Sequence, residues 1–226
     1  MRKIVVVVLL IFMVSAIGYS QQAYVGRFDG FGSYSYFTAP SLNLTARGFN
    51  GQAGVNLRRW VAMGFDFSVW DGHTSLVPSM LNSSVQASLG STLPPSVIAT
   101  LNIPYSARIY EYAAGPQINY RHFKWATFFI HPDLGAIHVD VTANPATPLQ
   151  QMLVNNLIGP SGKTSDTVVF WGVGGGIDWN VSKHFSIRTA ADLVRLNMFD
   201  SMLNGARNNV RFSVGPAIHF GGNVEK

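Results

Sequence analysis

The chain has 226 residues, of which 12% are charged, 12% aromatic and 47% hydrophobic. So few charges and so many aromatic side chains exclude intrinsic disorder, because such a chain does not stay solvated. The absence of cysteine excludes disulfide scaffolds, thiolate metal sites, thiol catalysis and lipoprotein acylation. The formal net charge of +5 falls to +3 without the two basic residues at positions 2 and 3, and the remaining charges are scattered, so the sequence predicts no nucleic-acid partner.

The first residues have the three parts of a secretory signal peptide. Residues 1–3 include two basic side chains, residues 4–18 form an apolar run, and the small side chain of Ser20 precedes a cleavage point. The run is shorter than the ~20 residues of a membrane-spanning helix, which makes a retained anchor the weaker alternative. We therefore expect a cleaved signal peptide over residues 1–20 and one mature domain over residues 21–226.

Apolar and polar residues alternate with a period of two along most of the mature chain, which is typical of β-strands with two different faces. Eight segments follow this pattern and are predicted as strands: residues 25–37, 49–58, 62–69, 108–120, 125–141, 167–180, 185–193 and 210–220. In the fifth segment the apolar positions change parity at Gly135 and Ala136, and this slip predicts a β-bulge.

The connections between the predicted strands alternate between short and long. Short turns are expected near residues 58–60, 120–124 and 180–184, and longer loops over residues 38–48, 72–107, 142–166 and 198–208. This layout is typical of an outer-membrane barrel with short periplasmic turns and long exterior loops. The predicted fold class is therefore all-β, an eight-stranded antiparallel up-and-down transmembrane β-barrel preceded by a cleaved signal peptide.

The aromatic residues separate a membrane barrel from a soluble, lipocalin-like carrier, in which the apolar faces of the strands point inward. They are concentrated beside the predicted short turns and again near the long-loop ends, as at the two interfaces of a membrane. The predicted interface aromatics are Tyr36, Phe49, Trp60, Trp70, Tyr110, Tyr120, Trp125, Trp179, Phe185 and Phe220.

Residues 30–36, 113–117 and 172–178, together with a closing strand that ends in Phe220, resemble the OmpA-like family of eight-stranded outer-membrane β-barrels. The resemblance implies a bacterial outer-membrane location and contact with outer-membrane lipid and lipopolysaccharide. It also implies insertion by the outer-membrane assembly machinery, which reads a terminal aromatic strand in this family. The chain departs from the family pattern because residues 221–226 follow Phe220.

The bore of an eight-stranded barrel is just wide enough for side chains to fill it. The polar faces of the predicted strands direct these side chains into the bore: Arg27, Asp29, Asp66, Glu111, His131, Asp133, Asp178, Arg188, Asp192, Arg211 and His219. Six carboxylates and three guanidinium groups in a narrow space must pair, hydrogen-bond, hold water or share protons. We expect a polar plug whose ion pairs satisfy one another, and a gated ion path is the alternative.

The sequence offers only weak candidates for catalysis. His184 and Ser186 have the His-x-Ser spacing of barrel enzymes that deacylate lipid A, but they lie at a predicted periplasmic turn, far from the outer leaflet. His73 and His138 have no companions with ligand spacing. Residues 172–176 lack the lysine and the following helix of a phosphate-binding loop. We therefore predict no catalytic residue, no metal and no cofactor.

The longer loops contain apolar residues at helical spacing, such as Leu149, Met152 and Leu153. These segments either pack on themselves over the barrel mouth or contact a partner, whose identity the sequence leaves open. The predicted function is a non-enzymatic outer-membrane barrel with an envelope-structural or surface-interaction role. A narrow ion or small-solute pore is the alternative, and a lipid A-modifying enzyme or a soluble secreted carrier is less favoured.

Overall fold

The computed structural model describes residues 22–204 and 207–224, and the predicted signal peptide lies outside these described residues. The chain forms one closed barrel in which each strand is antiparallel to its neighbours and the last strand pairs with the first. The strands are β1 (Gly26–Ala39), β2 (Leu44–Arg58), β3 (Val61–Leu76), β4 (Ile103–Tyr120), β5 (Ala126–Ala143), β6 (Lys163–Asn180), β7 (Phe185–Leu196) and β8 (Arg207–Asn223). This topology confirms the predicted eight-stranded antiparallel up-and-down barrel.

The two ends of the barrel differ in how the strands are joined. At one end, the turn end, short connections join β2 to β3, β4 to β5 and β6 to β7. At the other end, the loop end, the described connections contain the helices α1 (Ser83–Thr92), α2 (Pro95–Ala99) and α3 (Pro148–Ile158), and the 3-10 turns Pro40–Leu42 and Pro78–Met80. Within the described residues, no helix has the length and apolar character needed to cross a membrane.

The predicted long loop over residues 38–48 is wrong. Strand pairing continues to Ala39 and Leu44, so that β1 and β2 are joined by a connection of four residues. Asn43 closes this turn in the left-handed region, with φ 45°, a conformation that asparagine tolerates better than most residues. The turn-like composition around Pro40 concealed flanking residues that belong to the strands.

Several strands are longer than a membrane needs. β4 and β5 contain 18 residues each. With a rise of about 3.3 Å per residue and a tilt near 40°, such a strand is roughly 45 Å tall, whereas the apolar band of an outer-membrane barrel is about 25 Å tall. Exposed Trp60, Tyr120 and Trp125 mark a membrane interface at the turn end. The extra height therefore lies at the loop end, where the barrel projects beyond the membrane.

The outer face of the barrel carries large apolar side chains. Phe49, Leu134 and Val169 point outward, and their exposed fractions are 67%, 66% and 77%. Charged Asp66 and Glu111, on the inward faces of β3 and β4, are buried. An apolar outer face around a polar interior is the polarity of a barrel in lipid and the opposite of that in a soluble carrier.

The predicted β-bulge at Gly135 and Ala136 is wrong. β5 keeps an unbroken register through this point, with Gly135 opposite Ala113 of β4 and Phe170 of β6. The apolar residues beyond it, such as Ile137, point into the lumen and are fully buried. The parity changes because the lumen itself becomes apolar toward the loop end, while the strand geometry stays regular.

The predicted interface aromatics divide into an outer set and one inner residue. Tyr36, Phe49, Trp60, Tyr120, Trp125, Trp179 and Phe220 are exposed, and Tyr110 and Phe185 are half-buried. Trp70 is fully buried inside the barrel, so its placement at an interface is wrong. It follows outward-facing Val69 and therefore points inward, where its Nε1 donates to Ser35 Oγ at 3.1 Å and its ring packs against Phe37.

Candidate functional site in the barrel lumen

The half of the lumen nearer the turn end is filled by a network of side chains that we call the polar plug. Its members come from all eight strands: Asp29, Asn50, Gln52, Asn56, Asp66, Ser68, Glu111, His131, Asp133, Asp178, Ser186, Arg188, Asp192, Arg211 and His219. The strand register brings them together, because inward positions of neighbouring strands lie opposite each other, as Asp192 does with Arg211.

Arg188 forms the best-defined ion pair of the plug. Its Nε and Nη2 donate to the two carboxylate oxygens of Asp178 at 2.6 and 2.9 Å, and its Nη1 donates to Gln52 Oε1. The guanidinium also lies against the rings of Phe31 and Phe129, with Cζ 5.2 and 4.6 Å from the ring centroids. A bidentate pair with aromatic contacts fixes both position and orientation of the charge.

Arg211 joins a second group of charges toward the loop end. Its Nε donates to Asp192 Oδ2 at 2.7 Å, and its Nη1 donates to Glu111 Oε1. On the other side of Asp192, Oδ1 lies 3.1 Å from His131 Nε2, and His131 Nδ1 lies 2.7 Å from Asp133 Oδ2. One guanidinium and one imidazole therefore hold three carboxylates in a continuous buried chain.

The third group of the plug is nearest the turn end. Asp29 Oδ1 lies 2.6 Å from His219 Nδ1, and Asp29 Oδ2 accepts from Asn56 Nδ2 at 2.6 Å. Arg121 reaches in from the β4–β5 turn, where its Nη2 donates to Asn56 Oδ1 at 3.0 Å. These contacts close the lumen at its turn end.

Ten of the eleven charged and histidine residues predicted for the lumen lie in the polar plug, and Arg27 does not. Arg27 is exposed at the turn end of β1. The pairing of β1 with β8 shifts register between Gly26 and Phe28, so the alternation that holds along the rest of β1 is interrupted at Arg27.

The plug and the residues that contact it include side chains that the predicted lumen set left out. Asn50, Gln52 and Asn56 occupy the polar face of the alternating segment over residues 49–58, so the period-two pattern alone indicates their inward direction. Arg121 gave no such signal, because it lies in a turn and enters the network through the length of its side chain.

Three plug residues lie close enough together that they could share a metal ion. His131, Asp133 and Asp192 each offer a ligand atom within 4.8 Å of the others. Both ring nitrogens of His131 already face these carboxylates, and Asp192 also accepts from Arg211. A divalent cation would have to displace these contacts beside a fixed positive charge. The geometry therefore fits a buried ion-pair network better than a metal centre.

His184 and Ser186, the weak catalytic candidates of the sequence analysis, form no hydrogen bond with each other, but both contact His219. His184 Nδ1 lies 2.9 Å from the backbone oxygen of His219, while Ser186 Oγ lies 2.9 Å from His219 Nε2. With the contact between His219 and Asp29, this gives the Ser–His–Asp connectivity of a serine hydrolase. Ser186 is fully buried, however, so its hydroxyl is not accessible to a substrate.

The loop end of the barrel is covered by a structured cap, formed by residues 77–102, 144–162 and 197–204. The first and last of these segments are joined by a β-bridge between Leu81 and Leu203 and by Asn82 Nδ2, which donates to Ser201 O at 2.8 Å. α3 begins with a capping box, in which the Thr147 hydroxyl accepts from Gln150 N at 3.2 Å. The cap is therefore an ordered part of the fold.

The cap places apolar side chains inside the barrel mouth. The buried members from its three segments are Met80, Leu81, Leu89, Leu101, Leu153, Val154, Met198 and Leu203. They pack against inward residues of the strands, including Ile103, Ile109 and Val139. Of the apolar loop residues with helical spacing, Leu153 packs inward, whereas Leu149 and Met152 stay exposed on α3.

Comparisons with known proteins identify the fold. The sequence matches no protein-family model and no curated protein. Its structure is similar to Neisserial surface protein A, NspA, with 12% identity and a TM-score of 0.51, over 85% of this chain and 96% of that chain. It is also similar to the outer membrane protein OprG from Pseudomonas aeruginosa, with 8% identity and a TM-score of 0.52, over 89% of this chain and 99% of that chain.

At these identities the similarity concerns the fold alone. The shared fold is a closed eight-stranded barrel, and the outer surface of this chain has the polarity that lipid requires. Fold and surface together make the chain an eight-stranded β-barrel protein of the bacterial outer membrane, as predicted.

Proposed function

We propose that this chain is a non-enzymatic outer-membrane barrel that acts at the cell surface, through its projecting strands and cap, in an envelope-structural or surface-interaction role. The supporting observation is the division of the lumen. A polar plug fills the membrane-embedded half, whereas ordered helices and joined loops build the projecting half. The helices and the contacts between loops are therefore concentrated at the end of the barrel that we propose faces the exterior.

A narrow pore is less well supported, because the charged side chains of the plug do not line an open path. Glu111, Asp178 and Asp192 are 0%, 1% and 3% exposed, and each is hydrogen-bonded to a buried arginine. Ions need a continuous water-filled route, and these pairs fill the bore instead. We therefore infer that the lumen is closed.

Planar-bilayer recording tests this closure. We expect no steady conductance from the wild-type barrel and a conductance from the double variant Asp178→Ala/Arg188→Ala, which removes a whole ion pair and leaves neither charge unpaired. The matched control is Asp71→Ala/Arg108→Ala, which removes an exposed pair of the same type, 2.7 Å apart, from the outer face. A wild-type conductance that the plug variant leaves unchanged would contradict the proposal.

The surface position of the cap is tested by labelling, because the chain contains no cysteine of its own. Gln151→Cys on α3 and Ser182→Cys in the β6–β7 turn both introduce an exposed thiol. In intact cells, a membrane-impermeant maleimide is expected to label only Gln151→Cys, and both variants are labelled after lysis. Labelling of Ser182→Cys alone would place the cap in the periplasm.

The non-enzymatic part of the proposal is supported by the burial of Ser186. A serine nucleophile needs a substrate carbonyl within reach, and the Ser186 hydroxyl is enclosed by the barrel wall. We expect no labelling by a fluorophosphonate probe in the folded barrel. Labelling that disappears in Ser186→Ala would show that the Ser186–His219–Asp29 contacts form an active nucleophile.

The proposed partners follow from the outer surface. Outer-membrane lipid and lipopolysaccharide contact the apolar outer face, and β8, with outward Phe212, Val214, Ile218 and Phe220, is the strand offered to the assembly machinery. Residues 1–20 act as a cleaved signal peptide in this proposal. A nucleic-acid partner is not proposed, and the partner of the cap is left open.

A further inference from the structure

Above the polar plug lies an apolar chamber, lined among others by Leu44, Ile103, Ala107, Val139, Val154 and Leu203. The strands β2 to β6 form its wall, and α3 and the β7–β8 segment of the cap enclose it from the exterior side. Among its seventeen lining residues, only Tyr105 and Thr164 carry a polar side-chain group. The lining of the chamber therefore suits an apolar ligand and not a charged one.

The chamber is larger than a packing defect. Its cavity measures about 70 Å³, whereas a single water needs roughly 10–15 Å³ and two to four polar partners. A cavity of this size with almost no polar lining stays dry, and its walls lack the dispersion contacts that a packed core supplies. A small apolar molecule restores those contacts.

The position of the chamber fixes the side from which a molecule enters. Glu111 and Arg211, buried in the plug, close the lumen below, so no route leads to the periplasm. The β7–β8 segment above is held at Phe199, whose N–H donates to Asp166 Oδ2 at 2.5 Å and whose φ of 52° is unusual for a bulky residue. This segment is the part of the enclosure with a strained backbone.

We propose that the chamber is a binding site for one small, uncharged, hydrocarbon-like molecule taken up from the exterior side. The lining excludes ions and strongly polar compounds, because burying a charge without a partner is costly. The inference concerns the projecting half of the barrel and does not depend on whether the plug conducts.

Methyl-detected NMR of the full barrel in lipid nanodiscs, with toluene as the probe, tests the site. Toluene also dissolves in the bilayer, so lipid-facing methyl groups provide an internal reference. We expect saturable shifts at the methyl groups of Leu44, Ile103 and Leu203, and small, linear shifts at exposed Leu134 and Val169. Linear shifts of equal size at both sets would overturn the proposal.

Filling the chamber provides the second arm of the experiment. Ala107→Phe places a ring at a buried, inward-facing lining position, whereas Val169→Phe adds a ring on the lipid face as the matched control. We expect at least a tenfold loss of toluene affinity in the first variant and none in the second. Unchanged binding in Ala107→Phe would show that the ligand sits elsewhere.

Folding of each variant is checked by its heat-dependent mobility on SDS gels. If Ala107→Phe does not fold, Ala143→Leu fills a second lining position with a smaller change. Since this readout is binding and the readout for the plug is conductance, failure of one proposal is distinguishable from failure of the other.

Discussion

The two halves of the lumen contain side chains of opposite character, although the same strands run through both. In the lower half, nearer the turn end, Glu111 of β4 points inward and Tyr110 points outward. In the upper half, nearer the loop end, Ile109 of the same strand points inward and Arg108 points outward. Both pairs obey the same alternation. The two pairs differ only in which face carries the charged side chain: the inner face in the lower half and the outer face in the upper half.

The change is explained by what surrounds the barrel at each height. In the lower half lipid covers the outside, and the polar residues of each strand are left to the interior. In the upper half water covers the outside, where Asp71, Arg108 and Asp140 are exposed, and the interior becomes an apolar core as in a soluble barrel. We therefore expect the boundary between plug and chamber to lie at the outer edge of the membrane.

The largest expected effect comes from breaking the plug. Arg211→Met leaves Glu111 and Asp192 buried beside a neutral side chain, and removing one partner of a buried ion pair costs about 3–5 kcal/mol. We expect a loss of this size in the free energy of unfolding, measured by urea titration in lipid vesicles. Arg108→Met, which breaks an exposed pair on the same barrel, should leave the unfolding midpoint almost unchanged. Equal effects of both variants would mean that the plug contributes no more than a surface ion pair.

The upper half should respond as the core of a soluble protein does. Ile137 is fully buried in the apolar core, whereas Ile130 on the same strand faces lipid and is 51% exposed. Ile137→Ala should cost about 2–5 kcal/mol of unfolding free energy, because a cavity remains, and Ile130→Ala should cost less, because lipid chains fill the space. The same urea titration compares them. A larger loss for Ile130→Ala would reverse the assignment of the two faces.

The same boundary explains how much of the molecule could be predicted from the sequence. Period-two alternation states that two faces differ, which was enough for the eight strands and for the inward direction of residues such as Asp178 and Arg188. The alternation does not indicate whether lipid or water surrounds the barrel at a given height. Where lipid gives way to water, the apolar residues change sides, so Ile137 suggested a bulge and Trp70 an interface. The contact of Arg121 with the plug could not be predicted for another reason: Arg121 lies in a turn, and alternation gives a direction only to residues in strands.

The smallest expected effect sharpens the position of the boundary itself. Leu134 and Asp140 both point outward from β5, one on the lower side of the parity change and one on the upper side. Leu134→Lys, just below this boundary, should cost less than the roughly 2–4 kcal/mol of a lysine at the bilayer midplane and more than the roughly 0–1 kcal/mol of one at an interface, because the penalty for a charge on the lipid face depends on its depth. Asp140→Lys should cost almost nothing, since its exposed position already carries a charge in contact with water. A series of lysine substitutions at the outward positions between them, Ala136 and His138, then locates the height at which the penalty disappears. If that height coincides with the step from Asp133 to Ile137 inside the barrel, the solvent outside the wall determines which half of the lumen is plug and which is chamber.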